Sequence, residues 1–160
     1  MKETKYFPAP GVIVIPGINT SDGKRVSTGV LSFTEKLIEF NKAFDIPYNT
    51  EPTNIDPKAV DLRFSLMFEE NQEYHIAARE KNLVEIADGL GDKLYILMGT
   101  IVAHGMQDII VDVFNEIHRS NMTKVDADGK VFRRSDGKIM KPITYERPNL
   151  KQFFKDESNS

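Results

Sequence analysis

Cysteine is absent from this 160-residue chain. That excludes disulfides, thiolate metal centres, iron–sulfur clusters and cysteine nucleophiles in one step. The sequence also lacks a Gly-x-Ser-x-Gly turn, so the common serine-hydrolase elbow is missing. No apolar run approaches the roughly 18 residues a membrane-spanning helix needs. The first residues, Met1 to Tyr6, lead into Pro8 and Pro10 rather than an apolar segment. No signal peptide is therefore read, and the expected location is cytoplasmic. In that setting the Asn-x-Ser/Thr matches at Asn19 and Asn121 carry no weight as glycosylation sites. What is present is 40% hydrophobic and 28% charged residues, enough to build one ordinary domain without staples.

The net charge of −3 conceals an uneven distribution. Asp61 to His118 carries eleven acids and four bases, and Arg119 to Lys155 carries ten bases and four acids. An acidic middle and a basic end suit a site that handles cations and an anionic ligand together. Two solvated surfaces of opposite sign would give the same arithmetic.

Hydrophobic spacing predicts an all-α fold. Residues 1–31 read as a non-helical arm punctuated by Pro8, Pro10, Pro16 and glycines, with one short apolar run at Gly11–Ile15 that suits a strand. From Ser32, apolar residues at Phe33, Leu37, Phe40 and Phe44 mark an amphipathic helix ending before Pro47. Asp56-Pro57 supplies an N-cap and a proline at the first helical position, opening a second helix to about Arg79. A third helix, Asn82 to Gly105, is apolar on most faces and is expected to be the buried centre, with Gly105 as its stop. A fourth runs from Asp108 to about Ser120. The turn-rich basic segment that follows completes a domain over 32–150, and 151–160 is expected to fray.

The acids on the second and third helices form the most informative pattern. Glu70 and Glu73 are three residues apart, as are Glu85 and Asp88, so each pair shares a helical face. A short connection at Lys81-Asn82 makes the two helices antiparallel neighbours, which lets the pairs meet across the interface. A solvated acidic face normally sets Lys or Arg three or four residues from each Glu. Here Glu69 and Glu70 face Glu73, Glu85 faces Asp88, and Asp88 faces Asp92; only Lys81, four residues before Glu85, offers the opposite charge. Like-charge neighbours repel, so a cation is missing from the sequence, and a divalent metal is the simplest one.

All-oxygen ligands favour Mg²⁺, Mn²⁺ or Ca²⁺ over Zn²⁺. A di-iron bundle requires Glu-x-x-His, and the residues three before His75, His104 and His118 are Gln72, Ile101 and Asn115. An EF-hand fails as well, because Gly129 falls too early after Asp126 and no Glu closes the loop. Carboxylate-held Mg²⁺ keeps positions open for water and substrate phosphates. The basic end then acquires a role: Arg119, Asn121 and Lys124 follow the fourth helix, with Arg133, Arg134, Lys138 and Lys141 beyond. Arg119 also suits a plain cationic cap on the helix C-terminus. A single aromatic, Phe132, among the central basic residues argues against a nucleic-acid partner.

Glu69-Glu70-x-x-Glu73 followed by Glu85-x-x-Asp88 resembles the signature of the all-α nucleoside triphosphate pyrophosphohydrolases, the MazG-like and phosphoribosyl-ATP pyrophosphohydrolase-like group. Glu116 to Lys124, with its Ser-Asn-Met-x-Lys run, then Asp136-Gly-Lys138 and Lys141-Pro, resembles the C-terminal part of one branch. The resemblance covers roughly Phe33 to Leu150. It implies a MazG-like helical bundle of four main helices in which Glu70, Glu73, Glu85 and Asp88 hold Mg²⁺, with Mn²⁺ as a substitute. Glu69 carries over as a further ligand or as the group orienting the attacking water, and Asn121 and Lys124 as contacts to the substrate's phosphates. Lys138 and Lys141 match a looser part of the pattern. The arm before Ser32 departs from the family's compact form.

The implied reaction is (d)NTP plus water giving (d)NMP and pyrophosphate, with Glu69 and Glu70 as the catalytic carboxylates and Arg119, Asn121, Lys124 and Lys138 on the substrate. The family further implies a homodimer or a dimer of dimers, which agrees with a third helix too apolar for four helices to hide. Two alternatives stand beside a housekeeping hydrolase. One is phosphoribosyl-ATP hydrolysis in histidine biosynthesis; the other is a non-catalytic metal- or nucleotide-binding regulator.

Overall fold

The computed structural model describes residues 28–126 and 128–154. The arm before Thr28, with its expected strand at Gly11–Ile15, lies outside those residues. Four α-helices make the domain: α1 (Thr28–Ala43), α2 (Pro57–Glu80), α3 (Leu83–Ala103) and α4 (Ile110–Met122), followed by a single 3-10 turn, Leu150–Phe153. The only ladder among the described residues is one antiparallel bridge between Arg133 and Ile139. The all-α reading holds.

The ends of α2 and α3 follow from local chemistry. The Asp56 carboxylate accepts the Lys58 amide at 2.8 Å, and Pro57 occupies the first turn, where no amide donor is required. Lys81 takes a left-handed conformation (φ 59°) that closes α2. Asn82 then caps α3, its side chain accepting from the amides of Val84 and Glu85. A two-residue connection forces an antiparallel pair, and this pair forms the most extensive interface of the domain. Its register is fixed at two points. Gly89 lies so close to α2 that a Cβ there would stand 3.2 Å from the backbone nitrogen of Tyr74. One turn further from the connection, Lys93 Nζ donates to Asn71 Oδ1 at 2.6 Å.

The core sits at the other end of α3. Leu37 of α1 meets Met98, Ile101 and Val102, with Val30, Ile38, Tyr48, Met106 and Ile110 around them. The loop before α2 runs across the C-terminus of α3 and satisfies carbonyls that a helix end leaves orphaned. Asn49 Nδ2 donates to Ala103 O at 2.7 Å, and the Thr53 amide donates to His104 O at 3.0 Å. Gly105 ends the helix at φ +68°, and a Cβ there would lie 2.1 Å from Glu51 O. Only glycine fits.

Three expectations need correction. The first helix begins at Thr28 rather than Ser32, because Val30 joins the core and draws the chain into helix early. The tail does not fray from residue 151: Lys151 to Phe153 lie in the 3-10 turn, held where the Asn149 amide donates to Glu116 Oε1 at 2.8 Å. The third helix is not buried throughout. Its buried positions are Gly89 and residues 98, 99 and 101–103, while Leu83 is 79% exposed and Val84 74% exposed. A single copy of these helices leaves Phe64, Phe68 and Ile76 of α2 and Leu90 and Leu97 of α3 facing water. No helix among the described residues is long and apolar enough to cross a membrane.

Candidate active site

The register of α2 against α3 brings the predicted acids together. Glu73, Glu85 and Asp88 line one groove of about 300 Å³ with Ile76, Ala77 and Glu80. Glu70 lies next to it, within the electrostatic reach of Glu73, Asp92, Glu69 and Asp88. Helical spacing supplies this arrangement directly, since Glu70 and Glu73 lie on one face of α2, and Asp88 and Asp92 on one face of α3.

Glu70 is the electrostatic centre of the group. It is half-buried, and its Oε2 is fully buried with no hydrogen-bond partner. Desolvation raises its pKa above the ordinary carboxylate value, and the charges of Glu73, Asp92, Glu69 and Asp88 raise it further. None of Glu69, Glu70, Glu73, Glu85, Asp88 and Asp92 has an ion-pair partner among the described residues. Lys93, the nearest cation in sequence, is turned toward Asn71 and the ring of Tyr74. A solvated acidic face with paired charges is therefore not what the chain builds.

A hard divalent cation fits this donor set, because it would partner the orphaned Glu70 oxygen and relieve repulsion on both helices. The carboxylates do not stand in a finished coordination shell: no three His, Asp or Glu side chains among the described residues converge closely enough to hold an ion. The backbone places the acids on facing helices without closing them on one point. Asp92, one turn beyond the sequence motif, belongs to this group through its effect on Glu70.

The basic residues fall into two settings. Arg119 is tied by Nε to Glu116 at 2.8 Å and by Nη1 to Glu146 at 2.6 Å. Those bonds hold its charge above its ordinary pKa and pull Glu116 down to about 2, chiefly through the Arg119 hydrogen bond and then the Asn149 amide. Arg119 thus fastens the C-terminal segment to α4. Asn121 and Lys124 are brought together, Lys124 Nζ donating to Asn121 Oδ1 at 2.7 Å. Lys138 lies on the hairpin that the Arg133–Ile139 bridge closes, where its amide donates to Asp136.

Sequence reading missed the anchor of this end. Ser120 is fully buried; its Oγ lies 2.7 Å from Glu146 O and 3.0 Å from the Tyr145 hydroxyl. The Glu146 amide in turn donates to Thr123 Oγ1 at 2.9 Å. A polar residue on the inward side of an otherwise amphipathic helix was the available signal.

The described residues thus form an all-helical bundle with acids gathered between an antiparallel helix pair and a basic segment folded onto its last helix. The phosphoribosyl-ATP pyrophosphohydrolase family model matches residues 37–121, more than half of the chain. The chain belongs to that family, within the MazG-like superfamily. It is also similar to an uncharacterized protein of Acanthamoeba polyphaga mimivirus, 42% identical over 65 residues, which is 38% of this chain and 26% of the relative. The chain therefore matches about a quarter of that relative's length.

Proposed function

We propose that this protein cleaves the α–β phosphoanhydride of a nucleoside triphosphate, (d)NTP plus water giving (d)NMP and pyrophosphate. The observation that carries the reading is Glu70, an orphaned carboxylate among like charges on two facing helices. It is supported by the family match over both acid pairs.

Glu70, Glu73, Glu85 and Asp88 would hold Mg²⁺, or Mn²⁺ in its place. Bound there, the ion supplies Lewis-acid polarisation of phosphate oxygens and neutralises leaving-group charge. Glu69 is exposed at the edge of the cluster and takes the proton of the attacking water, while Glu70 orients that water. The new P–O bond forms at the α-phosphorus as the bond to the bridging oxygen breaks, and pyrophosphate departs with that electron pair. Lys124 offsets the charge on the departing group, and the amide of Asn121 donates to a phosphate oxygen. Lys138 approaches the same end of the substrate, and Arg119 acts by fixing the segment that carries it.

A homodimer, or a dimer of dimers, completes the molecule in this reading. It covers the exposed apolar residues of α2 and α3, a larger surface than a lone copy would keep in water. Phosphoribosyl-ATP is the competing substrate, favoured by the description of the matching family. The deciding experiment is pyrophosphate release over a panel of canonical and modified (d)NTPs and phosphoribosyl-ATP, with Mg²⁺ and with EDTA. Mg²⁺-dependent release from a (d)NTP supports the proposal. Release from phosphoribosyl-ATP alone transfers it to that pathway, and a folded protein silent across the panel overturns both.

A further inference from the structure

Beyond Lys124, a second set of cations gathers around one side chain of the C-terminal segment. Tyr145 is half-buried against the end of α4, its hydroxyl 3.0 Å from Ser120 Oγ. Lys141 Nζ stands 4.6 Å from the centroid of its ring, close enough for the ring face to hold the ammonium in place. The charges that reach the Tyr145 hydroxyl are those of Lys141, Lys124 and Arg147. Of the neighbouring acids, Glu146 is engaged with Arg119, and Asp126 accepts from Thr144 Oγ1 at 3.4 Å. Arg119 is shared between Glu116 and Glu146, which leaves that trio one net negative charge, and Arg134 is paired with Asp136. Lys124, Lys141 and Arg147 form no ion pair among the described residues, although they belong to one small neighbourhood. Lys141 stands on the ring face, and the Glu146 amide bond to Thr123 Oγ1 brings Lys124 and Arg147 to the same end of α4, so three cations outweigh the one net negative charge and suit an oligophosphate anion.

We infer that Lys141, held in place by Tyr145, and Arg147 join Asn121 and Lys124 in a cradle for the β- and γ-phosphates. This deepens the pyrophosphohydrolase reading and rests on it for the identity of the ligand. The cradle itself is a property of the fold. Ser120, buried under the segment, sets the position of Tyr145; Tyr145 in turn sets Lys141. Tyr145 is a positioning residue, and Lys141 and Arg147 are the ligands.

The test is binding of inorganic pyrophosphate to the full chain by calorimetry, without divalent metal and at low salt. The variants are the double Lys141→Gln/Arg147→Gln, Tyr145→Leu, and a charge-matched control, Lys42→Gln/Lys58→Gln, on α1 and α2. Wild type and control should bind alike, and the Lys141/Arg147 double variant should bind about tenfold or more weakly, each lost charge-assisted contact costing a few-fold. Tyr145→Leu should weaken binding by about threefold, because Lys141 loses its ring platform. Kinetically, the double variant should raise KM for the triphosphate more than it lowers kcat. No pyrophosphate binding by wild type, or equal weakening in the control, overturns the cradle. If no (d)NTP is hydrolysed yet pyrophosphate binding depends on Lys141 and Arg147, the substrate assignment fails and the cradle stands.

Discussion

Between α2 and α3, six carboxylates stand without an ion-pair partner among the described residues, and one buried oxygen has no hydrogen bond. At the end of α4, by contrast, Glu116, Arg119, Ser120, Thr123 and Glu146 close on one another through bonds of 2.6–2.9 Å. Both regions are rich in polar side chains on helices, and both sit outside the main apolar core. The second spends its polar groups on holding the chain; the first leaves them unspent. A fold that keeps like charges adjacent gives up stability there, and the acids concerned lie within the stretch that the family model matches. The basic end shows the same division internally, since Arg119 and Arg134 are neutralised while Lys124, Lys141 and Arg147 are not.

The comparison is broken most severely by removing its central acid. Glu70→Gln or Glu73→Gln should reduce pyrophosphate release by about a hundredfold or more, with circular dichroism showing unchanged helix content. Near-normal turnover in either variant would remove that residue from the metal site. Next in size is Gly89→Val. A branched side chain against the Tyr74 backbone must push α2 and α3 apart, costing about 1–3 kcal/mol in urea denaturation and loosening the acid groove with it. Ser120→Ala should cost about 1–2 kcal/mol, because the Glu146 carbonyl loses its nearest donor, and limited proteolysis should then cut between Lys124 and Lys141 sooner than in wild type.

The smallest effect separates the two regions by sign. Glu70 titrates above its unfolded value, so the metal-free protein should lose stability as pH rises through that raised value. Glu116 titrates at about 2, so its contribution is present above the ordinary carboxylate value and lost as pH falls toward 2. At pH 7, Glu70→Gln should raise the Tm of the metal-free protein and Glu116→Gln should lower it. Added Mg²⁺ should raise the Tm of wild type and leave Glu70→Gln nearly unmoved. Tm shifts of equal sign in the two variants would dissolve the distinction.

Much of the architecture was legible because its causes are local. Asp56-Pro57 announced the start of α2, and Gly105 announced the end of α3; the structure shows both. The acid pairs were legible because helical periodicity and a two-residue connection suffice to bring them onto facing surfaces. The features that escaped depend on partners far away in the chain. Ser120 meets Glu146 across 26 residues, and nothing in the spacing of either announces it. Arg119 looked equally suited to a phosphate or a helix cap; its hydrogen bonds to both Glu116 and Glu146 are set by where the returning segment passes. The apolar girth of α3 was read correctly as composition and wrongly as burial, since periodicity reports which faces are apolar and not what covers them.

Gly105 shows what such constraints mean for genetics. Its positive φ and its contact with the Glu51 carbonyl leave no room for any side chain. In a random mutagenesis screen scored on activity, substitutions at position 105 would rank beside those at Glu70 as complete losses. The two classes would part in soluble yield, where position 70 retains protein and position 105 does not. An activity map of this chain thus needs an abundance map beside it before a dead position is counted as a catalytic one.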